Sequence, residues 1–156
     1  MNAVIQLVTG VIGSMGFAVL FNIRGKRALA TGFGALLSWG LYLLLSLVIP
    51  NDVVSYFIAS VLTSFYAEVM ARVLKTPTTT FITTSLIPLV PGGSLYYTMA
   101  YAFESDSTKF MARAMDTLQL SSALALGVIV AATLTKLYMG YLINRKKKRQ
   151  ALAQAI

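Results

Sequence analysis

Long uncharged runs, cut by short charged clusters, constrain this chain more than any other feature. Residues 1–23 carry no charge before Arg24, Lys26 and Arg27. Residues 28–51 carry none before Asp52, and 53–67 none before Glu68, Arg72 and Lys75. The run 76–103 ends at Glu104 and Asp106, and 117–135 continues past Lys136 as an apolar stretch to Ile143. Crossing a bilayer core takes about 20 largely apolar residues. The pattern therefore predicts five transmembrane helices near 3–22, 28–49, 53–73, 78–103 and 118–143. Only 12% of the residues are charged and 57% are hydrophobic, where a soluble domain carries roughly a quarter charged. The expected fold class is all-α, a polytopic membrane helical bundle over 1–143 with a basic cytoplasmic tail at 144–156.

The basic residues orient the bundle. With the N-terminus outside, ten of the thirteen Lys and Arg residues fall in the cytoplasmic segments 22–27, 72–77 and 144–149. The outer segments hold Lys109 and Arg113, together with the acids Asp52, Glu104 and Asp106. That is the positive-inside pattern, so the expectation is N-out and C-in. The Met-Asn-Ala start lacks the positive region of a cleavable signal peptide, so the first run is expected to stay as a span. The cluster Arg145-Lys-Lys-Lys-Arg149 would be a nucleic-acid or anionic-lipid patch in isolation, but abutting a span it reads as a stop-transfer anchor at the membrane lipid, with no nucleic acid expected. Residues 106–116 read as a short amphipathic helix at the outer interface, with Phe110, Met111 and Ala114 turned to the membrane.

The chain has no Cys and no His. Disulfide frameworks, thiol nucleophiles, Cys/His metal sites and imidazole chemistry are excluded, and neither cofactor nor metal is expected. An enzyme would need a nucleophile and a base, and Glu68 has no second intramembrane acid for two-carboxylate work. A Ser–Lys pair, Ser94 with Lys136, is the alternative chemistry to weigh. Ser94 is expected near mid-depth and Lys136 nearer the cytoplasm, its stem long enough to snorkel. No enzyme is expected.

The informative run is 76–103. Thr76 reads as an N-cap with Pro77 at the first helical position, followed by a hydroxyl-rich half-helix containing Thr84. Then come Pro88-Leu-Val-Pro91-Gly92-Gly93-Ser94, which no unbroken helix accommodates, because each proline lacks a donor and clashes with the preceding turn. The break is expected near mid-depth. Irregular backbone there is tolerated only when it is buried in protein or lines a wet cavity. Ser94 is expected to cap a second half-helix whose positive end receives an anionic substrate group, with Tyr97 and Tyr101 lining the same cavity. A kinked helix without a ligand is the plainer alternative. Glu68 is a coupling candidate as an intramembrane acid, while Arg72 four residues on allows a simple ion pair. Gly10, Gly13 and Gly16, and Ser60, Ser64, Ala67 and Ala71, mark faces where helices approach closely.

Three stretches resemble the threonine/serine exporter family. They are Gly16-Phe-Ala-Val-Leu-Phe-Asn22, Ala67-Glu68-Val-Met-Ala71-Arg72 with Lys75-Thr-Pro77, and, most distinctively, Ile87-Pro88-Leu-Val-Pro91-Gly92-Gly93-Ser94-Leu-Tyr96. Length and layout are similar to that family's separate small subunit. The resemblance implies a bacterial inner-membrane exporter of small hydrophilic metabolites, threonine and serine or a dicarboxylate such as succinate. It also implies a larger partner subunit, and a homo-oligomer stays open. Candidate substrate-binding residues are Pro88, Pro91, Gly92, Gly93, Ser94, Tyr97 and Thr84. Glu68, Arg72 and Asn22 are candidates for coupling or gating, Asn22 having a plain capping role as its alternative. The competing reading is a non-transporting assembly subunit working through its small-residue faces.

Overall fold

The computed structural model describes residues 2–104 and 106–154, with side chains described through 141 and at 145. The chain is all-α. Its elements are α1 (Ala3–Leu20), α2 (Lys26–Val48), α3 (Asp52–Val73), α4 (Thr78–Ser85), a 3-10 turn (Ile87–Leu89), α5 (Gly92–Phe103) and α6 (Ser107–Gln154). Four helices, α1, α2, α3 and α6, are long and apolar enough to cross a membrane. α4 and α5 are each too short to do so alone.

Helix ends follow local chemistry. Asn51 accepts from the amides of Val53 and Val54, capping α3. Asp106 caps α6 through the Lys109 amide at 3.1 Å and also meets the Lys109 ammonium at 2.9 Å. That side-chain hydrogen bond, with the backbone one, holds its carboxyl below the usual range. α1 and α3 close alike. Asn22 and Lys75 adopt positive φ (54° and 47°). The amides two residues past each C-cap, Ile23 and Thr76, then return to Ala18 and Ala71. Both are Schellman closures made without glycine.

Three expectations at helix ends are corrected. Thr76 does not cap α4: its hydroxyl bonds the Leu74 carbonyl, and Pro77 is the N-cap with ψ 137°, the extended geometry that proline tolerates. Ser94 does not cap α5, which starts two residues earlier at Gly92 behind Pro91. There is no separate helix at 106–116, because α6 runs 48 residues without interruption. No proline or glycine falls between 107 and 126 to end it.

The core is built from small polar side chains as much as from apolar ones. Ser55, Ser60, Thr63, Ser64, Ala59 and Ala67 of α3 are buried, against Thr31, Ala35 and Ser38 of α2 and Ala123 and Ala131 of α6. Such residues let backbones approach closely, which is how helices gain packing energy without a hydrophobic drive between them. A Cβ on Gly127 would meet the side chain of Ser60 and come 3.0 Å from the Phe57 carbonyl. A cluster of Tyr56, Ala59, Leu86, Leu89 and Ala123 joins α3, the 3-10 turn and α6.

Register gives the directions. Val53 and Val54 share a groove with Leu118, and Ser60 abuts Gly127, so α3 and α6 run parallel. Thr98 hydrogen-bonds Thr117 and Tyr101 stands under Lys109, so α5 returns antiparallel along α6. Residues 107–117 therefore extend about 16 Å past the start of α3, forming with α5 a hairpin that carries all the described charges between 104 and 116.

Candidate functional site

The strand of chain between α4 and α5 is where regular structure fails. Pro88 sits inside the 3-10 turn, Val90 is extended, and Pro91 (φ −75°, ψ 56°) precedes α5. The Gly92 amide bonds back to the Val90 carbonyl at 2.7 Å. Gly93 and Ser94 occupy the first turn of α5, where amides have no intrahelical acceptor. Both glycines are exposed, and nothing lies within 4 Å of a Cβ placed on either. The start of the break is level with the eighth of the eighteen residues of α1. Pro88 lies beside Gly10, seven residues into α1 or about 10 Å.

Pro88 closes a pocket of about 350 Å³ with Gln6, Thr9 and Gly10 of α1 and Trp39 of α2. The Trp39 indole donates to Gln6 Oε1 at 3.3 Å, which leaves the Gln6 amide donors for another acceptor. Trp39 packs at a tilt against Tyr42 and Tyr42 meets Tyr56 edge-to-face, each pair 4.8 Å between centroids, and the Tyr42 hydroxyl reaches Asp52. Gln6, Thr9 and Trp39 were not anticipated from the sequence. They are 33 residues apart at the hydrogen bond, and only the fold brings them to Pro88.

The other candidates are dispersed. Thr84 is fully buried, its hydroxyl bonded to the Thr80 carbonyl at 2.8 Å. Ser94 is half-buried and gives its carbonyl to the Thr98 hydroxyl. Tyr97 and Tyr101 do not line a cavity behind the break. They stack on one another at 6.4 Å, with Arg113 over Tyr97 and Lys109 over Tyr101, because α6 continues outward beside them. Glu68 and Arg72 form an ion pair at 3.3 Å near the other end of the bundle, with the Glu68 side chain 15% exposed. Asn22 is exposed at the α1 closure. Lys136 is exposed on α6, far from Ser94 along the bundle, so the two form no pair. Among the described residues no cluster of acidic side chains is placed to hold a metal.

Among the described residues, five buried hydroxyls have no hydrogen-bond partner: Ser14, Ser55, Thr63, Ser64 and Ser85. Unpaired buried hydroxyls cost roughly 1–3 kcal/mol each, so five in one small bundle is not a packing arrangement chosen for stability.

Residues 6–134 match the family model described as "Threonine/Serine exporter, ThrE". No curated protein and no solved structure matches the chain. The match takes in α1 through most of α6, including the 3-10 turn, Glu68 and the pocket around Pro88, and the family is one of transporters and not of enzymes. On that coverage, this multi-pass membrane chain belongs to the threonine/serine exporter family.

Proposed function

We propose that the chain is one component of a secondary exporter of threonine and serine in the bacterial inner membrane, working with a larger subunit. The uncovered first turn of α5 carries this reading. Gly93 and Ser94 present amide donors that have no intrahelical acceptor, both Gly92 and Gly93 are exposed, and Leu95, Tyr96, Met99 and Phe103 are exposed beside them. Open backbone is costly in lipid, so a second subunit lying over α5 both satisfies the fold and completes a site. In that site the substrate carboxylate rests on the Gly93 and Ser94 amides, with Gly92 leaving room for it, at the positive end of α5. Pro88 and Pro91 hold the break open, Thr84 supports it from below, and Tyr97 stands at the outer approach. Glu68, paired with Arg72, links export to protons, and Asn22 sits at the inner gate.

Five crossings with N-out and C-in accompany this reading, with 1–143 in the membrane and 144–156 in the cytoplasm. The parallel course of α3 and α6 supports it, since the chain between them has to return across the bundle. α4, the turn and α5 make that return. Dicarboxylate export is the second substrate class, favoured by the same carboxylate-binding geometry.

The test is Gly92→Leu, which places a bulky side chain over the open amides while leaving a helix-compatible backbone. Threonine efflux is expected to be abolished with the protein still inserted at the native amount. Normal efflux from that variant would remove the break from the site.

A further inference from the structure

The seam between α1 and α4 holds more than the pocket at the break. A second pocket, about 320 Å³, opens at the opposite end of the same seam, between Phe21 and Ile23 after α1 and Thr79, Thr80 and Thr83 of α4. Gly10 lies against Pro88 and Phe21 beside Thr79–Thr83, so α4 runs antiparallel to α1. Ser14, one turn below Gly10 on the same α1 face, then comes level with Ser85, which lies between the two pockets on the other wall. Both are fully buried, and both hydroxyls lack a partner. α3 closes this level through Tyr66, since Ser85 and Tyr66 both meet Gly34 of α2.

We propose that this seam is the substrate path through the chain, seen closed at its middle. Gln6, Thr9 and Trp39 form the outer mouth, Thr79, Thr80 and Thr83 the inner mouth, and Ser14 and Ser85 the occluded centre. The inference rests on the exporter reading and adds a route and a selectivity to it. Unpaired hydroxyls fit a path that opens, because the polar groups of a passing solute satisfy them in the open state and only the closed state leaves them bare. The small residues around them allow the walls to meet without trapping a void. No Lys, Arg, Asp or Glu lines either pocket. A dianion entering an uncharged, hydroxyl-lined seam loses hydration without gaining a counter-ion. A zwitterion with a hydroxyl side chain carries no net charge and matches the donors and acceptors present. The route therefore favours threonine and serine over dicarboxylates.

The chain has no cysteine, so each introduced thiol is unique. Single variants Thr9→Cys, Thr83→Cys, Ser14→Cys and Ser85→Cys of the full chain are expressed together with the larger subunit in a host strain lacking its own copy of this chain. They are then treated with a membrane-impermeant methanethiosulfonate in right-side-out and inside-out vesicles. Thr9→Cys is expected to react only from the outer face and Thr83→Cys only from the cytoplasmic face. Ser14→Cys and Ser85→Cys are expected to react with the same aqueous reagent, slowed several-fold by threonine and unaffected by succinate. Because Ser85 abuts Gly34, Ser14→Cys carries the test if the bulkier thiol at 85 prevents insertion. Reaction at both mouths with none at Ser14→Cys, or equal protection by succinate, would overturn the path. Threonine efflux measured in the same strains separates the two levels: efflux with an unreactive centre refutes the seam alone, and absence of efflux from the unsubstituted chain refutes the exporter reading.

Discussion

Gly34→Ala probes the contact that shuts the bundle at the level of Ser85. A Cβ at position 34 would lie 2.8 Å from Ser85 Cβ and 2.9 Å from Tyr66 Cε1, and closer still to the Ser85 hydroxyl. Rotating Ser85 moves the hydroxyl but not its Cβ, so α2 and α4 have to part by roughly 0.6 Å, from 2.8 Å to the 3.4 Å where ordinary contact begins. Overpacking of this kind costs about 1–3 kcal/mol. Against it, alanine is favoured over glycine in a helix by about 1 kcal/mol. Gly13→Ala supplies the reference, since nothing lies within 4 Å of a Cβ there. The propensity gain is common to both variants and cancels in their difference. Unfolding of the purified chain in mixed micelles, followed by far-ultraviolet circular dichroism, should therefore place Gly34→Ala about 1–3 kcal/mol below Gly13→Ala. Equal stabilities within about 0.5 kcal/mol, the ordinary scatter of harmless substitutions, would refute the close approach of α2 to α4.

Two further outcomes follow from the same geometry. Ser14→Ala removes a buried hydroxyl that has no partner. The same unfolding assay should read a gain of about 1 kcal/mol, while threonine efflux per inserted molecule falls; unchanged efflux would deny Ser14 a place on the path. Lys75→Gly relieves a non-glycine residue at φ 47° and should stabilise the chain by about 1 kcal/mol, with loss of stability showing that the α3 closure depends on the lysine side chain.

Charge punctuation made the first three spans legible to within two residues at either end, because a charge at a helix terminus costs far less than one in the bilayer core. The interruption of the fourth run was equally legible, since two prolines and two glycines leave the backbone no regular alternative. Residues 106–116, by contrast, misled. Their charges mark a boundary between environments, and α6 passes through that boundary without changing conformation. Charge patterns report where the solvent changes, and helix ends need a cap or a breaker. The pocket around Pro88 had no signature in the chain: Gln6 and Trp39 are unremarkable on their own helices and become a pair only when α1 and α2 pack. The buried hydroxyls were visible as small residues, but whether each turns back to its own carbonyl, as Thr84 does, or stays bare, as Ser85 does, is decided by packing.

Export is tested most directly by loading cells with labelled threonine and labelled succinate and following efflux from three strains. One expresses this chain alone, one the larger subunit alone, and one both. The expected result is threonine efflux from the third strain only, with succinate retained in all three. Succinate efflux without threonine efflux, or no efflux of either with both proteins shown to be inserted, would contradict a half-transporter with an uncharged path.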